Sequence, residues 1–139
     1  VLKAKELKNP DDYVILPELI SKEPLGPAVR RGDEEWFAIV KWTLNAMIEA
    51  EELGIDQKNI DGLKASSADP AIRRFVGTAD DTGKSLGLDK DWSYRIVKFV
   101  GNYGDSFDRN LGKNSTIKLP RGYMNLWTKG GLMMSPPLR

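Results

Sequence analysis

The feature that most constrains this 139-residue chain is the run Glu23-Pro24-Leu25-Gly26-Pro27-Ala28-Val29-Arg30-Arg31-Gly32-Asp33, followed at once by Glu34-Glu35-Trp36-Phe37. Pro24 and Pro27 each fix φ near about −65° and push the preceding residue towards extended geometry. Gly32 permits a sharp turn. Asp33 is a good N-cap, and Glu34 and Glu35 put negative charge on the first turn, where the helix dipole favours it. The run predicts a stiff extended segment, a turn and a capped helix. Ahead of it, Tyr13-Val14-Ile15-Leu16-Pro17 reads as a buried strand. Two extended runs joined by a proline-bearing connector suit a crossing between two lobes better than a hairpin.

After the crossing the pattern turns helical. From Glu34 to Leu53 the residues Trp36, Ile39, Val40, Thr43, Leu44, Met47 and Ile48 recur at helical spacing and make one wide apolar face. Glu49, Glu51 and Glu52 near its end oppose the dipole by a few tenths of a kcal/mol each, about a tenth of what burial of each large side chain returns. A compact helix is predicted from Asp69 to Gly77, with Asp69 as cap and Pro70 at the first position. Asp89 is expected to cap a second long helix reaching about Leu111, with Trp92, Ile96, Val100, Tyr103 and Phe107 on one face. Gly101 and Gly104 in it predict either close approach of a neighbour or a break near Asn102. Leu2 to Leu7 reads as the end of a helix, Ser115 to Leu119 as extended, and Gly122 to Lys129 as a final short helix.

Few residues point to chemistry. The chain has no cysteine and no histidine, which removes disulfides, thiolate metal sites and the usual general base. No catalytic residue, metal site or cofactor is assigned. The carboxylate clusters Asp33/Glu34/Glu35, Glu49/Glu51/Glu52 and Asp80/Asp81 read as caps and solvated surface, since nothing shields one member of any pair. Gly83-Lys84-Ser85 resembles the end of a phosphate loop, yet Thr78 stands where its first glycine belongs. Arg30-Arg31 and Arg73-Arg74 read as surface ion-pair partners. Trp36, Trp92 and Tyr103 lie on apolar stripes and read as core rather than as stacking platforms, with Trp42 and Trp127 unassigned. Twenty-one basic against 20 acidic residues leave no field to attract nucleic acid.

The order of an apolar strand, Glu-Pro-Leu-Gly-Pro-Ala-Val-Arg-Arg-Gly-Asp and an amphipathic helix resembles the last third of bacterial periplasmic amino-acid-binding proteins, the solute receptors of ABC uptake systems, and most of all the general L-amino-acid-binding type. Gly101-Asn102-Tyr103-Gly104-Asp105-Ser106-Phe107-Asp108-Arg109-Asn110 and the stretch from Asn125 to Arg139 carry the same resemblance. It implies an α/β chain, a helix-rich fragment with few strands of the two-lobed type II periplasmic-binding-protein fold. Residues 1–22 would end the second lobe, 23–26 form the hinge crossing, and 27–139 supply the C-terminal part of the first lobe with a helical extension. Lys22, Glu23, Pro24, Leu25 and Gly26 are the expected hinge residues. The ligand-binding residues are expected upstream of Val1. The implied partners are an L-amino acid and the membrane subunits of an ABC permease, with a periplasmic location and no enzymatic activity. A fragment with uncovered strand edges further predicts a dimer that exchanges the Tyr13–Leu16 strand. The alternative reading is a helical protein-interaction module without a small-molecule ligand.

Overall fold

The computed structural model describes residues 6–14, 16–18, 20–21 and 25–139. Among the described residues five α-helices form the body: α1 (Glu34–Glu52), α2 (Ile60–Ser66), α3 (Pro70–Phe75), α4 (Trp92–Val100) and α5 (Tyr103–Asn110). Short 3₁₀ turns occupy Pro10–Asp12, Lys84–Leu86, Gly122–Met124 and Trp127–Lys129. The central element is α1, which packs on α4 and α5, while α2 packs on α3 and α4.

Local sequence explains the helix starts. The Asp33 carboxylate accepts the Trp36 N–H at 3.1 Å, and the Asp69 carboxylate accepts those of Ala71 and Ile72. Both are the caps that the sequence predicts, each satisfying donors the first turn leaves free. The predicted long helix from Asp89 is two helices. Its start lies at Trp92, and Asp89 instead pairs with Arg95. Its break falls at Gly101, whose φ of 94° is a conformation that side chains other than hydrogen avoid. Asn102 restarts the helix by accepting the Asp105 N–H at 2.8 Å, and Asp105 returns the bond to the Asn102 N–H. The Asn102 amide also donates to the Ile55 carbonyl at 2.8 Å, tying the elbow to the end of α1.

Ala46, Ala50, Ile55, Ile60, Phe75, Val76, Trp92, Val97 and Leu138 make the core. Within it Ser93 is fully buried and donates its hydroxyl to the Phe75 carbonyl. The Trp92 ring lies in the core while its N–H reaches the Thr82 hydroxyl, the pairing a buried indole needs.

Three expectations change here. Tyr13, Val14 and Leu16 are exposed and in no strand, and Ile15 lies outside the described residues. A strand needs a hydrogen-bonding neighbour, and the described residues offer only an isolated bridge between Leu126 and Met133. The segment from Ser115 to Leu119 joins no strand for the same reason. The final helix is two 3₁₀ turns, because Asn125 and Leu126 are extended between them. Of the predicted helix end at Leu2–Leu7, residues 2–5 lie outside the described residues.

Candidate functional site

Residues 25–33 run largely exposed into α1. Lys22, Glu23 and Pro24 lie outside the described residues. Leu25 is 90% exposed, and a Cβ built on Gly26 would meet nothing within 4 Å. From residue 25 to residue 30 the backbone belongs to no regular element. The first turns of α1 share this openness: Trp36 is 51% and Phe37 47% exposed. The expectation that Trp36 is core therefore fails for this chain. Its helical stripe is real, but Trp42 is the first large side chain on α1 that packs against the core, and full burial begins at Ala46.

The far end of α1 behaves in the opposite way. Glu49, Glu51 and Glu52 are not solvated surface; each holds a point on the segment 121–138. Both oxygens of Glu49 accept the Leu138 N–H, at 3.2 and 3.0 Å. Arg121 Nη1 donates to Glu51 Oε1 at 2.5 Å, with the two side chains only 15% and 10% exposed. Trp127 Nε1 donates to Glu52 at 2.8 Å. Arg121 also donates Nε and Nη2 to the Met124 carbonyl and stands 5.5 Å from the ring centres of Tyr103 and Phe107. Gly104 is what lets this pair sit against α5: a Cβ there would come within 3.0 Å of the Glu51 carboxyl carbon. Burial pushes the Glu49 carboxyl above its ordinary pKa; the Leu138 N–H opposes this, Glu52 adds to it and Arg74 opposes it. Burial likewise raises the Tyr103 phenol, against the pull of Arg121.

A third polar group lies on α2 and α4. Asp61 accepts from Tyr94 and Lys98, and the hydrogen bond from Lys98 holds its carboxyl below the ordinary range. Lys64 lies 3.6 Å from the centre of the Tyr94 ring and pairs with Asp91, which also holds Arg95. These charges answer one another, an arrangement that fixes α2 to α4 rather than one that awaits a ligand. The Asp80/Asp81 cluster is spent locally: Asp80 pairs with Arg74 and Asp81 accepts the Lys84 N–H. Arg74 is thus the ion-pair partner that the sequence suggests. Among the described residues, no cluster of carboxylates is arranged to hold a metal ion, and no helix is long and apolar enough to cross a membrane.

Comparison with known proteins gives the frame for these features. No family model matches the sequence. The general L-amino acid-binding periplasmic protein AapJ of Rhizobium johnstonii is 56% identical over 135 residues, covering 96% of this chain and 39% of that protein. Over nearly all of its length the chain is similar to an amino-acid-binding periplasmic protein. The glutamate/glutamine/aspartate/asparagine-binding protein BztA of Rhodobacter capsulatus is 50% identical, and the putative amino-acid ABC transporter-binding protein YhdW of Escherichia coli 52%, each over 96% of the chain. A solved periplasmic binding protein of an ABC transporter from Brucella ovis, with glutathione bound, superposes with a TM-score of 0.89 at 51% identity, over 96% of this chain and 42% of that one. The chain thus spans about two-fifths of the length of the relatives it matches, 39% of AapJ among them. Its fold is a helix-rich part of a periplasmic binding protein, as the resemblance implies, and the named relatives are solute-binding proteins.

Proposed function

We propose that this chain is part of a periplasmic receptor that captures an L-amino acid and delivers it to the membrane subunits of an ABC permease. The observation that carries the reading is 56% identity to a general L-amino acid-binding protein over 96% of the chain. In this reading residues 1–22 end the second lobe, 23–26 are the hinge crossing, and 27–139 complete the first lobe. Two features support that division. The backbone at Leu25 and Gly26 is free of packed neighbours, as a segment that absorbs domain closure through a few φ/ψ changes requires. Trp36 and Phe37 stand half-exposed at the start of α1, where the remainder of the first lobe would cover them.

The receptor makes and breaks no covalent bond. Closure of two lobes over a zwitterion removes its charges from water, and paired side chains with main-chain N–H groups offset the lost hydration. The groups that hold the ligand are expected upstream of Val1, so this chain alone should bind an amino acid at least about a hundredfold more weakly than the whole receptor. Exposed Tyr13, Val14 and Leu16 also fit a dimer that exchanges this segment, and light scattering of the 139-residue chain separates that from a monomer. The helical interaction module is the weaker reading, because the relatives are solute receptors. Isothermal titration of the full-length receptor with the L-amino acids and with glutathione tests the assignment. Saturable heat with at least one L-amino acid is expected; no binding to any of them overturns it.

A further inference from the structure

The stretch 134–139 is attached to the body in an unusual way. Residues 121–133 form a loop closed by their own main-chain bonds, among them Trp127 N–H to the Met133 carbonyl at 2.9 Å and Met133 N–H to the Asn125 carbonyl at 3.0 Å. Beyond Met133 the backbone bonds to the rest of the described residues at one point, where the Leu138 N–H donates to the Glu49 carboxylate. Pro136 and Pro137 carry no N–H to offer, and Met134 and Arg139 are exposed. Yet Leu138 is only 5% exposed and belongs to the same core as Ala50, Phe75 and Val97. One apolar anchor and one charge-assisted hydrogen bond therefore seat the whole stretch.

We propose that the Leu138 position is an internal peptide-binding site: a seat, floored by the core and gripped by Glu49, that holds residues 134–139 as a releasable strap. Its ligand class is an extended segment that offers one main-chain N–H and one leucine side chain directly after two prolines. The prolines pre-set the extended form, so little conformational freedom is lost when the segment docks. Among the described residues, every other hydrogen bond and ion pair from the 121–138 region to the body lies at or before Met133, so the strap can leave without unfolding the loop behind it. The seat would then be open to the same segment of a second copy.

The test uses the 139-residue chain. Leu138→Asp removes the anchor and empties the seat. A synthetic peptide with the sequence of residues 134–139 is titrated into isotope-labelled L138D and parent chains while the amide signals of Ala46, Ala50 and Val76 are followed by NMR. Saturable shifts at those amides are expected in L138D, at least about tenfold tighter than in the parent, whose own strap competes at millimolar effective concentration. A peptide with the same Leu138→Asp change is expected to leave both unshifted. If L138D does not fold alone, excess peptide is expected to restore its helical circular-dichroism signal. Equal binding to both chains, binding of the altered peptide, or neither shift nor refolding at millimolar peptide overturns the proposal.

Discussion

Replacing Arg121 by methionine tests the energetics of the loop over α1. The substitution keeps most of the apolar stem and removes the charge. It leaves Glu51 almost enclosed and without its partner, while Oε2 of that carboxylate already has none among the described residues. Breaking one side of a buried ion pair costs about 3–5 kcal/mol. The 10–15% exposure of these side chains lets some water reach the abandoned carboxylate, so the lower end, about 3 kcal/mol, applies. The Met124 carbonyl also loses two donors. For a chain of this size that is a fall of about 10 °C in Tm. Glu51→Gln, which keeps an acceptor for Nη1, should cost only about 1 kcal/mol. Joining Arg121→Met with Glu51→Leu should recover about 2 kcal/mol of the loss, because the uncompensated charge is gone. Thermal unfolding followed by circular dichroism gives all three numbers. A Tm for R121M within about 2 °C of the parent, or a double variant no more stable than R121M, refutes the reasoning.

Three further outcomes are expected. Glu49, lifted above the ordinary carboxyl range chiefly by burial, holds more protons folded than unfolded, so its contribution is fully present below the unfolded value and lost as pH rises through the folded one. Urea midpoints should therefore show Glu49→Gln level with the parent near about pH 4 and ahead of it near about pH 8; a constant offset contradicts this. Asn102→Ala removes a helix cap and orphans the Ile55 carbonyl, and should lower the unfolding free energy by about 2–3 kcal/mol in the same urea titration, with less than about 1 counting against it. Gly131→Ala would put a Cβ 1.9 Å from the Asn125 carbonyl oxygen; hydrogen exchange at Leu132 and Met133 should accelerate while Val97 is unchanged, and equal acceleration throughout would count against a local effect.

Much of the helical body was legible because its signals are local. Asp33 and Asp69 cap the helices that follow them, and Gly101 with Asn102 marks the break that the glycines allowed. The family resemblance rests on the same contiguous stretches. What escaped the sequence reading depends on distant partners. The Glu49, Glu51 and Glu52 carboxylates meet groups 89, 70 and 75 residues away, and nothing in their neighbourhood along the chain distinguishes a clasp from a solvated face. Proline after proline at 136–137 was a visible hint of a rigid tail, but not of the leucine it delivers. Trp36 was misjudged for a converse reason. Its stripe is correctly periodic, yet what a helix face buries is decided by what lies opposite, and none of the described helices lies there.

Leu138 also bears on when the core can close. Ala46, Ile55, Phe75 and Val97 all precede it on the nascent polypeptide, so during synthesis the ribosome has finished every other wall before the last one exists. Contacts this distant along the chain form late and slow the approach to the native state. A helical body assembled before its final leucine arrives is what a strap seated last requires.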